Sequence, residues 1–590
     1  MPRIGSLLDM VTGSTEPAVA ITQGRPEFLG RHYIVSSSHY LATMAGVRTY
    51  ERGGNAADAG VAAGIALNVL ERHLTDFGGV APIMFYRPGM SRPETIDGVG
   101  RWPLRLSLEE YRAKHGSDMP PGAPRFVTPA APDAWLTALA RYGRLSLEEV
   151  LQPAMELCHG FPVFPRLADA LAKLEPRLSK WPASARVFLP HGRSLKAGDI
   201  LVQKDLAMTF QRLIEAERRA RSIGRVGAIM AARDLIYTQE IARQIADFAA
   251  AQGSLLDAED LSRYRVRVEP SAHSTYRGVE VHVCGAWSQG PVVPMLLNLL
   301  EGFDIAKMNS DSVSWLHCFI ECVKLVFADR EGFFGDPEVV DVPIQGLLSK
   351  GYAAQRRQMV DISHATPGLP VPGDPWVIEG RPGRSGYVPH PTNGEEHPDT
   401  SYVCALDAEG NAFSATPSDP SLSAPLIEGL GFTISTRGAQ FWLDPDHPSV
   451  LAPGKRPRLT PNPAILVRSG RAVMPFGCPG GDAQGQAMVQ VVCNIVDFGM
   501  NVQAAIEAPR AISASFPWSF HPHPFAPNVV RVEGRIPQEV RSGLSDRGHE
   551  VELLPDFTPA AAAVCAVLEH PDGVLEGGAD PRLESYAAGW

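Results

Sequence analysis

The stretch Asp399-Thr400-Ser401-Tyr402-Val403-Cys404-Ala405-Leu406 opens a strand-like run directly after residues 361–399, which are dense in proline and glycine. From Thr400 to Leu406 small, aromatic and apolar side chains alternate. Asp407-Ala408-Glu409-Gly410-Asn411 has turn chemistry, and Ala412 to Thr416 can return antiparallel. Thr400 is therefore predicted to open the first strand of a hairpin at a sharp compositional border. A threonine hydroxyl is a poor nucleophile until a base takes its proton. If the backbone is cut before Thr400, that residue gains an α-amine of reference pKa ~7.7–8, which can be its own base. One scission would create nucleophile and base together. A strand that merely begins after a loop explains the same local pattern, so this stretch needs support from the rest of the chain.

The 590 residues are ample for a large core, and by size alone for two to four domains. A hydrophobic content of 44% with 20% charged residues describes an ordinary globular protein. A formal net charge of −11 argues against nucleic acid as a partner, because phosphate binding needs concentrated Lys and Arg. No stretch approaches the ~20 apolar residues that span a bilayer, so no membrane partner is expected. At the N-terminus Arg3 is followed by Asp9, Glu16, Pro17 and Pro26, which interrupt any secretory core; a cytoplasmic location is the expectation. Eight scattered cysteines, none in a C-x-x-C pair, are too few for a disulfide scaffold. The closest approach to a metal signature is His317-Cys318 with Cys322 one helical turn on. That segment, Val313 to Ala328, reads as an apolar helix with buried thiols, and no structural metal is expected. No phosphate loop, nucleotide fingerprint, haem motif or Ser/His/Asp arrangement stands out, so no cofactor is expected either. His73, His317 and His397 are scattered, and none is assigned as a base.

Along the first 350 residues helical patterns alternate with short strands. Ala56 to Val69 is small and apolar throughout, as a fully buried helix would be, with Gly53-Gly54-Asn55 placed as turn and N-cap. Leu145 to Leu157, Leu206 to Ile214 and Leu235 to Phe248 have helical spacing. Val279 to Val283 alternates as a strand, and Val292 to Leu300 restarts a helix after Gly290-Pro291. Residues 361–399 keep no apolar period and read as a flexible linker, long for a compact domain.

Separated motifs then combine. Gly53-Gly54-Asn55-Ala56-Ala57-Asp58-Ala59 precedes Glu71-Arg72-His73-Leu74 and Gly78-Gly79. Tyr142-Gly143 precedes Leu151-Gln152-Pro153-Ala154, and Ala328-Asp329-Arg330 precedes Gly335-Asp336-Pro337. After Asp399-Thr400-Ser401-Tyr402 come Asp407, Gly410-Asn411-Ala412, Pro453-Gly454-Lys455-Arg456-Pro457 and Pro479-Gly480-Gly481. Asp497-Phe498-Gly499-Met500-Asn501, Ala508-Pro509-Arg510 and Gly578-Ala579-Asp580-Pro581-Arg582 complete the set. In order and spacing, from about residue 35 to 590, this set resembles the gamma-glutamyltransferase family of N-terminal nucleophile hydrolases. The resemblance implies an α+β fold, a four-layer αββα sandwich with a helical lobe. It also implies self-cleavage into a large subunit, 1–399, and a small one, 400–590, after which two cleaved pairs could assemble as a homodimer. By position, Thr400 would be the nucleophile, Gly480 and Gly481 the backbone donors to the oxyanion, and Ser418 a second hydroxyl beside the nucleophile. Glycine suits the donor role because bare backbone must come close to the reacting oxygen.

The chain departs from the glutamyl-binding pattern. Where the family has an Arg for the substrate's α-carboxylate, Val99 stands, with Arg101 two residues on. Where the family has an acid for the α-ammonium, Ser435-Thr436-Arg437-Gly438-Ala439-Gln440 offers Gln440 and adds Arg437. Leu459-Thr460 stands for a pair of serines, and Asp482-Ala483-Gln484 follows the oxyanion glycines. Losing both grips removes the physical basis for holding a glutamyl head group, whereas Arg437 is a planar fork suited to a carboxylate. These changes resemble the family's non-glutamyl branch of oxamate amidohydrolases and acylases. The expected substrate is a small carboxylate-bearing amide, with Arg437, Gln440, Thr460, Asp482 and Arg101 as candidate contacts. A gamma-glutamyl hydrolase or transferase, and an unprocessed member without catalysis, are the alternatives.

Overall fold

The computed structural model describes residues 23–392, 394 and 399–590. The N-terminal residues Arg3, Asp9, Glu16 and Pro17, and His397, lie outside them. One seven-stranded antiparallel sheet runs in the order Tyr586–Gly589, Tyr33–Ser37, Val403–Asp407, Ala412–Ala415, Ile83–Tyr86, Glu94–Ile96, Val268–Pro270. A second runs Phe28–Gly30, Leu575–Ala579, Cys565–Glu569, Arg471–Gly477, Ala464–Arg468, Val279–Val283, Ala272–Tyr276. The two pack face to face, with Arg471–Gly477 lying over the hairpin Val403–Asp407 and Ala412–Ala415. Helices Tyr40–Glu51 and Ala56–Leu70 cover the outer face of the first sheet, and Val292–Leu300, Gln484–Val496 and Val502–Glu507 cover that of the second. This is the αββα sandwich expected from the sequence. Helices between Leu147 and Arg263 form the lobe beside it.

Composition explains the layers. Every residue of Ala56–Leu70 is buried. Its small side chains let it lie close on the sheet: a Cβ at Gly60 would sit 2.1 Å from the Phe413 ring. Asn55 caps it reciprocally with Asp58, whose carboxylate also accepts from the Arg144 and Leu145 amides at 2.9 and 3.0 Å. Within the hairpin Val403 pairs with Ala415 and, on its other side, with Ser37. The strand begins at Val403, three residues later than predicted. Residues 400–402 are still held, since Ser401 N–H donates to the Pro417 carbonyl at 2.8 Å and Ser38 N–H to that of Tyr402 at 3.0 Å.

Val279–Val283 and Val292–Leu300 form as predicted. The single helix predicted over Leu235 to Phe248 is instead the end of Gly224–Tyr237 and the start of Glu240–Ala251, parted at Thr238-Gln239. Apolar spacing carries across such a break because both helices bury the same stripe. The described part of the 361–399 segment is not a loose linker. Gly373 N–H donates to Asp329 at 2.8 Å, Tyr387 Oη to Asp444 at 2.9 Å and Thr392 Oγ1 to the Pro522 carbonyl at 3.0 Å. Trp376, on the short helix Pro375–Ile378, is buried. Its order comes from side chains elsewhere, which no local period reveals. No helix among the described residues is long and apolar enough to cross a membrane.

Candidate active site

Thr400 is fully buried at the mouth of the hairpin, its amide donating to the Leu74 carbonyl at 3.1 Å. Its backbone is strained in the uncut chain, with φ at +110°, a region that a β-branched residue avoids at a cost of ~1–3 kcal/mol. Its hydroxyl lies 2.7 Å from Ser418 Oγ and donates to Asp399 Oδ1 at 3.2 Å. Ser418 is placed by a bridge between Ser418 and Val80, where Ser418 N–H donates to the Val80 carbonyl at 3.0 Å. Ser418, in the polar stretch Pro417-Ser418-Asp419, is fully buried.

Arg437 stands on a single turn of 3-10 helix, Arg437–Gln440, and is 1% exposed. Its Nη2 donates to Asp399 Oδ1 at 2.8 Å and to Ser418 Oγ, and its guanidinium lies 5.1 Å from the Phe520 ring centroid. Nε is buried without a partner among the described residues. The turn is anchored by Asp419, which accepts from Thr436 N–H at 2.9 Å and Thr436 Oγ1 at 2.8 Å. Burial pushes the Asp419 carboxyl up to about 6, against the pull of Arg437. Asp399, Arg437, Arg125, His73, Trp518 and Phe520 are among the walls of a cavity of about 530 Å³.

Two groups here carried no sequence signal of their own. Glu71, fully buried, accepts a hydrogen bond from Ser401 Oγ, the residue after Thr400, and its Oε1 has no partner among the described residues. Burial raises its carboxyl to about 8, with the Ser401 hydroxyl opposing. His73 lines the cavity with both ring nitrogens unpartnered among the described residues, and burial drives its imidazole down to about 3, so it is neutral. Both lie in the quoted Glu71-Arg72-His73-Leu74 stretch. Only tertiary packing brings that stretch to Thr400.

The strand Arg471–Gly477 delivers Gly480 and Gly481 toward the same end of the sandwich: a Cβ at Gly477 would sit 2.4 Å from the Tyr402 ring. Gly480 and Gly481 have φ of +127° and +57°. Added Cβ atoms would meet Ala562 Cβ at 2.7 Å and Trp518 Cη2 at 2.4 Å, so the loop has room only for glycine. Gln289 Nε2 ties the loop down, donating to the carbonyls of Thr460 and Gly481 at 2.8 Å each.

The remaining sequence candidates are placed differently. Gln440 donates to Thr460 Oγ1 at 3.1 Å, and both are fully buried behind the glycine loop, outside the cavity wall. Asp482 also turns away. Its carboxylate pairs with Arg330 and accepts from Ser519 N–H at 2.7 Å and Ser519 Oγ at 2.6 Å. In this arrangement it braces the loop. Arg101 pairs with Glu338 at 3.0 Å and donates to the Gly454 carbonyl at 3.0 Å, also off the cavity wall. The cysteines are all buried free thiols. His317 does not join Cys318 and Cys322 but meets His549 at 2.8 Å, near Glu321, whose carboxylate is already held by Lys324 at 2.5 Å.

Residues 42–590 match the model of the family described as Gamma-glutamyltranspeptidase. The chain belongs to this family. It is 30% identical over 564 residues to the glutathione hydrolase-like YwrD proenzyme of Bacillus subtilis (strain 168), covering 95% of this chain and 99% of that protein. It is 31% identical over 575 residues to the acylase ACY 1 proenzyme of Pseudomonas sp. (strain SE83), covering 94% and 93%. Cephalosporin acylase from Bacillus halodurans superposes with a TM-score of 0.83 at 30% identity, over 98% of this chain and 99% of that one. The family comprises N-terminal nucleophile hydrolases, and this chain is such an enzyme.

Proposed function

We propose that this family member is a self-processing amidohydrolase whose nucleophile is Thr400 and whose substrate is a small carboxylate-bearing amide. The observation that carries the reading is one cluster. The Thr400 hydroxyl is 2.7 Å from Ser418 Oγ, and Arg437 reaches both Ser418 and the Asp399 carboxylate beside it. In maturation Thr400 Oγ1 attacks the Asp399 carbonyl carbon. The C–N bond breaks, and nitrogen leaves as the Thr400 α-amine, taking the hydroxyl proton. Water then hydrolyses the ester, freeing the large and small subunits. That both relatives above are proenzymes supports this step.

In turnover the amine accepts the Thr400 hydroxyl proton as oxygen attacks the substrate carbonyl, then passes it to the leaving nitrogen. Backbone N–H groups at Gly480 and Gly481 would stabilise the oxyanion, each contributing ~2.7–4 kcal/mol to the barrier reduction. Water attacks the acyl-enzyme and regenerates Thr400. Neutral His73 faces the cavity without a charge to compete for an anionic substrate. Arg437, buried, with no partner for Nε among the described residues, is the cation that would pair with a substrate carboxylate once Asp399 has left.

The test is a denaturing gel with amide assays on the same preparations. The 63.7 kDa chain should resolve into fragments of about 43 and 21 kDa by proportional length, the smaller beginning Thr-Ser-Tyr-Val. Thr400→Ala should remain one band and hydrolyse nothing. An Arg437→Ala protein, once cleaved, should lose carboxylate-bearing amides selectively. An unchanged KM for all of them removes the Arg437 role, and a gamma-glutamyl anilide preferred over other amides replaces the reading.

A further inference from the structure

The uncut chain holds its own acyl group in the site. The bond to be broken joins the Asp399 carbonyl to Thr400 nitrogen, and two saturated carbons, Cα and Cβ, separate that carbonyl from the Asp399 carboxylate. Oδ1 of this carboxylate accepts from Arg437 Nη2 at 2.8 Å, from Thr400 Oγ1 at 3.2 Å and from Ser418 Oγ at 3.3 Å. The scissile acyl group is thus a substituted succinyl, its distal carboxylate already on the buried cation and its carbonyl attached to the nucleophilic residue.

The chemistry of maturation makes this arrangement informative about turnover. When Thr400 Oγ1 attacks, the O–C bond forms, the C–N bond breaks and the hydroxyl proton goes to the departing nitrogen. What remains is an Asp399 ester on Thr400 with a free α-amine. An acyl-enzyme in turnover is the same species: R–CO–O on Thr400, a free amine beside it, and water as the next reactant. The pocket must therefore accept the Asp399 acyl group once in each molecule's life, in the same covalent state it later gives to substrate.

Resting on the carboxylate-amide reading above, we propose that Asp399 is an internal template for the substrate. The enzyme prefers amides of four-carbon dicarboxylic acids, in which two saturated carbons separate the reacting carbonyl from a carboxylate bound by Arg437 and Ser418. Removing both carbons, as in an oxalyl group, draws the carboxylate back by roughly 2.5 Å, beyond hydrogen-bond reach of a guanidinium fixed at 2.8 Å. An added carbon forces the chain to buckle. A neutral acyl group of equal length leaves a buried Arg without its counter-ion.

The experiment compares p-nitroanilides of oxalyl, malonyl, succinyl, glutaryl and butyryl groups on the matured protein, with self-cleavage half-times of Asp399→Glu and Asp399→Asn chains alongside. The succinyl anilide is expected to have the highest kcat/KM. It should lead malonyl and glutaryl by about tenfold or more and butyryl by about 10³-fold. Asp399→Glu and Asp399→Asn should each slow self-cleavage by about tenfold or more, since each disturbs the carboxylate seat. A maximum at oxalyl or glutaryl, with butyryl poor, overturns the template while leaving the carboxylate-amide reading intact. Butyryl equal to succinyl overturns both. Hydrolysis of none of the five by cleaved protein overturns the template, as does unchanged self-cleavage in both Asp399 variants.

Discussion

Glu71 gives the site a measurable electrostatic signature. Its carboxyl is fully buried against Ser401, the residue after Thr400, and burial raises it from an ordinary value near 4.5 to about 8. The native state therefore holds this proton more tightly than the unfolded chain across that interval. Stability from the neutral form is fully present below about 4.5 and is lost as pH rises through about 8. The gap is about three and a half pH units, which at ~1.36 kcal/mol per unit gives up to about 5 kcal/mol. With an unfolding entropy of ~2.1 cal/mol/K per residue, 590 residues unfolding as one unit convert this to about 4 °C in Tm. The perturbation is Glu71→Gln, which keeps the shape and stays neutral. Both chains carry Thr400→Ala, so the backbone stays uncut and unfolding is not confounded by subunit loss. Calorimetry between pH 5 and 8.5 should show the Glu71 chain losing up to about 4 °C relative to its Glu71→Gln counterpart, with the divergence beginning near pH 5. Parallel Tm curves would refute the reasoning, because a group that never changes charge on unfolding contributes no slope.

Ser418→Ala removes the hydroxyl that touches both Thr400 and Arg437; kcat/KM should fall about 10²-fold and uncut chain should accumulate on gels. Gly481→Ala places a methyl 2.4 Å from Trp518 Cη2 at a φ of +57°. It should cost about 10²–10³ in kcat with a smaller change in KM, as loss of an oxyanion donor does. Asp482→Asn removes one of the two carboxylates paired with buried Arg330 among the described residues, the other being Glu331, so chemical denaturation should show a loss of about 1.5–3 kcal/mol. At temperatures where the protein is folded its KM should be unchanged; a KM rise would return Asp482 to the substrate-contact role.

Several of the ordered motifs turn out to hold the scaffold. Asp58 caps a helix and receives the Arg144 and Leu145 amides, Asp336 pairs with Arg456 at 2.7 Å, and Asp580 pairs with Arg510 at 2.8 Å. A buried ion pair and a catalytic group leave the same trace in one sequence, an acid or an Arg in a fixed frame, because both are polar atoms that burial forbids to stand alone. Asp482 and Arg437 illustrate the ambiguity. Both were candidate substrate contacts, yet Asp482 is taken up by Arg330 and Ser519, whereas Arg437 lines the cavity and rests on Asp399.

What the sequence by itself determined is whatever depends on neighbours along the chain. That covers the fully buried helix at Ala56, the hairpin after Thr400 and the glycine pair that can carry positive φ. Tertiary structure alone decided the burial of Ser418, the anchoring of Arg437 by Asp419, the raised carboxyl of Glu71 and the neutrality of His73. It also packed the described part of the proline-rich segment against partners far along the chain, such as Asp444 and Pro522. Backbone preferences act over a few residues and are written locally. Desolvation and hydrogen-bond partnership belong to the space around a side chain, which exists only once both sheets have closed over it.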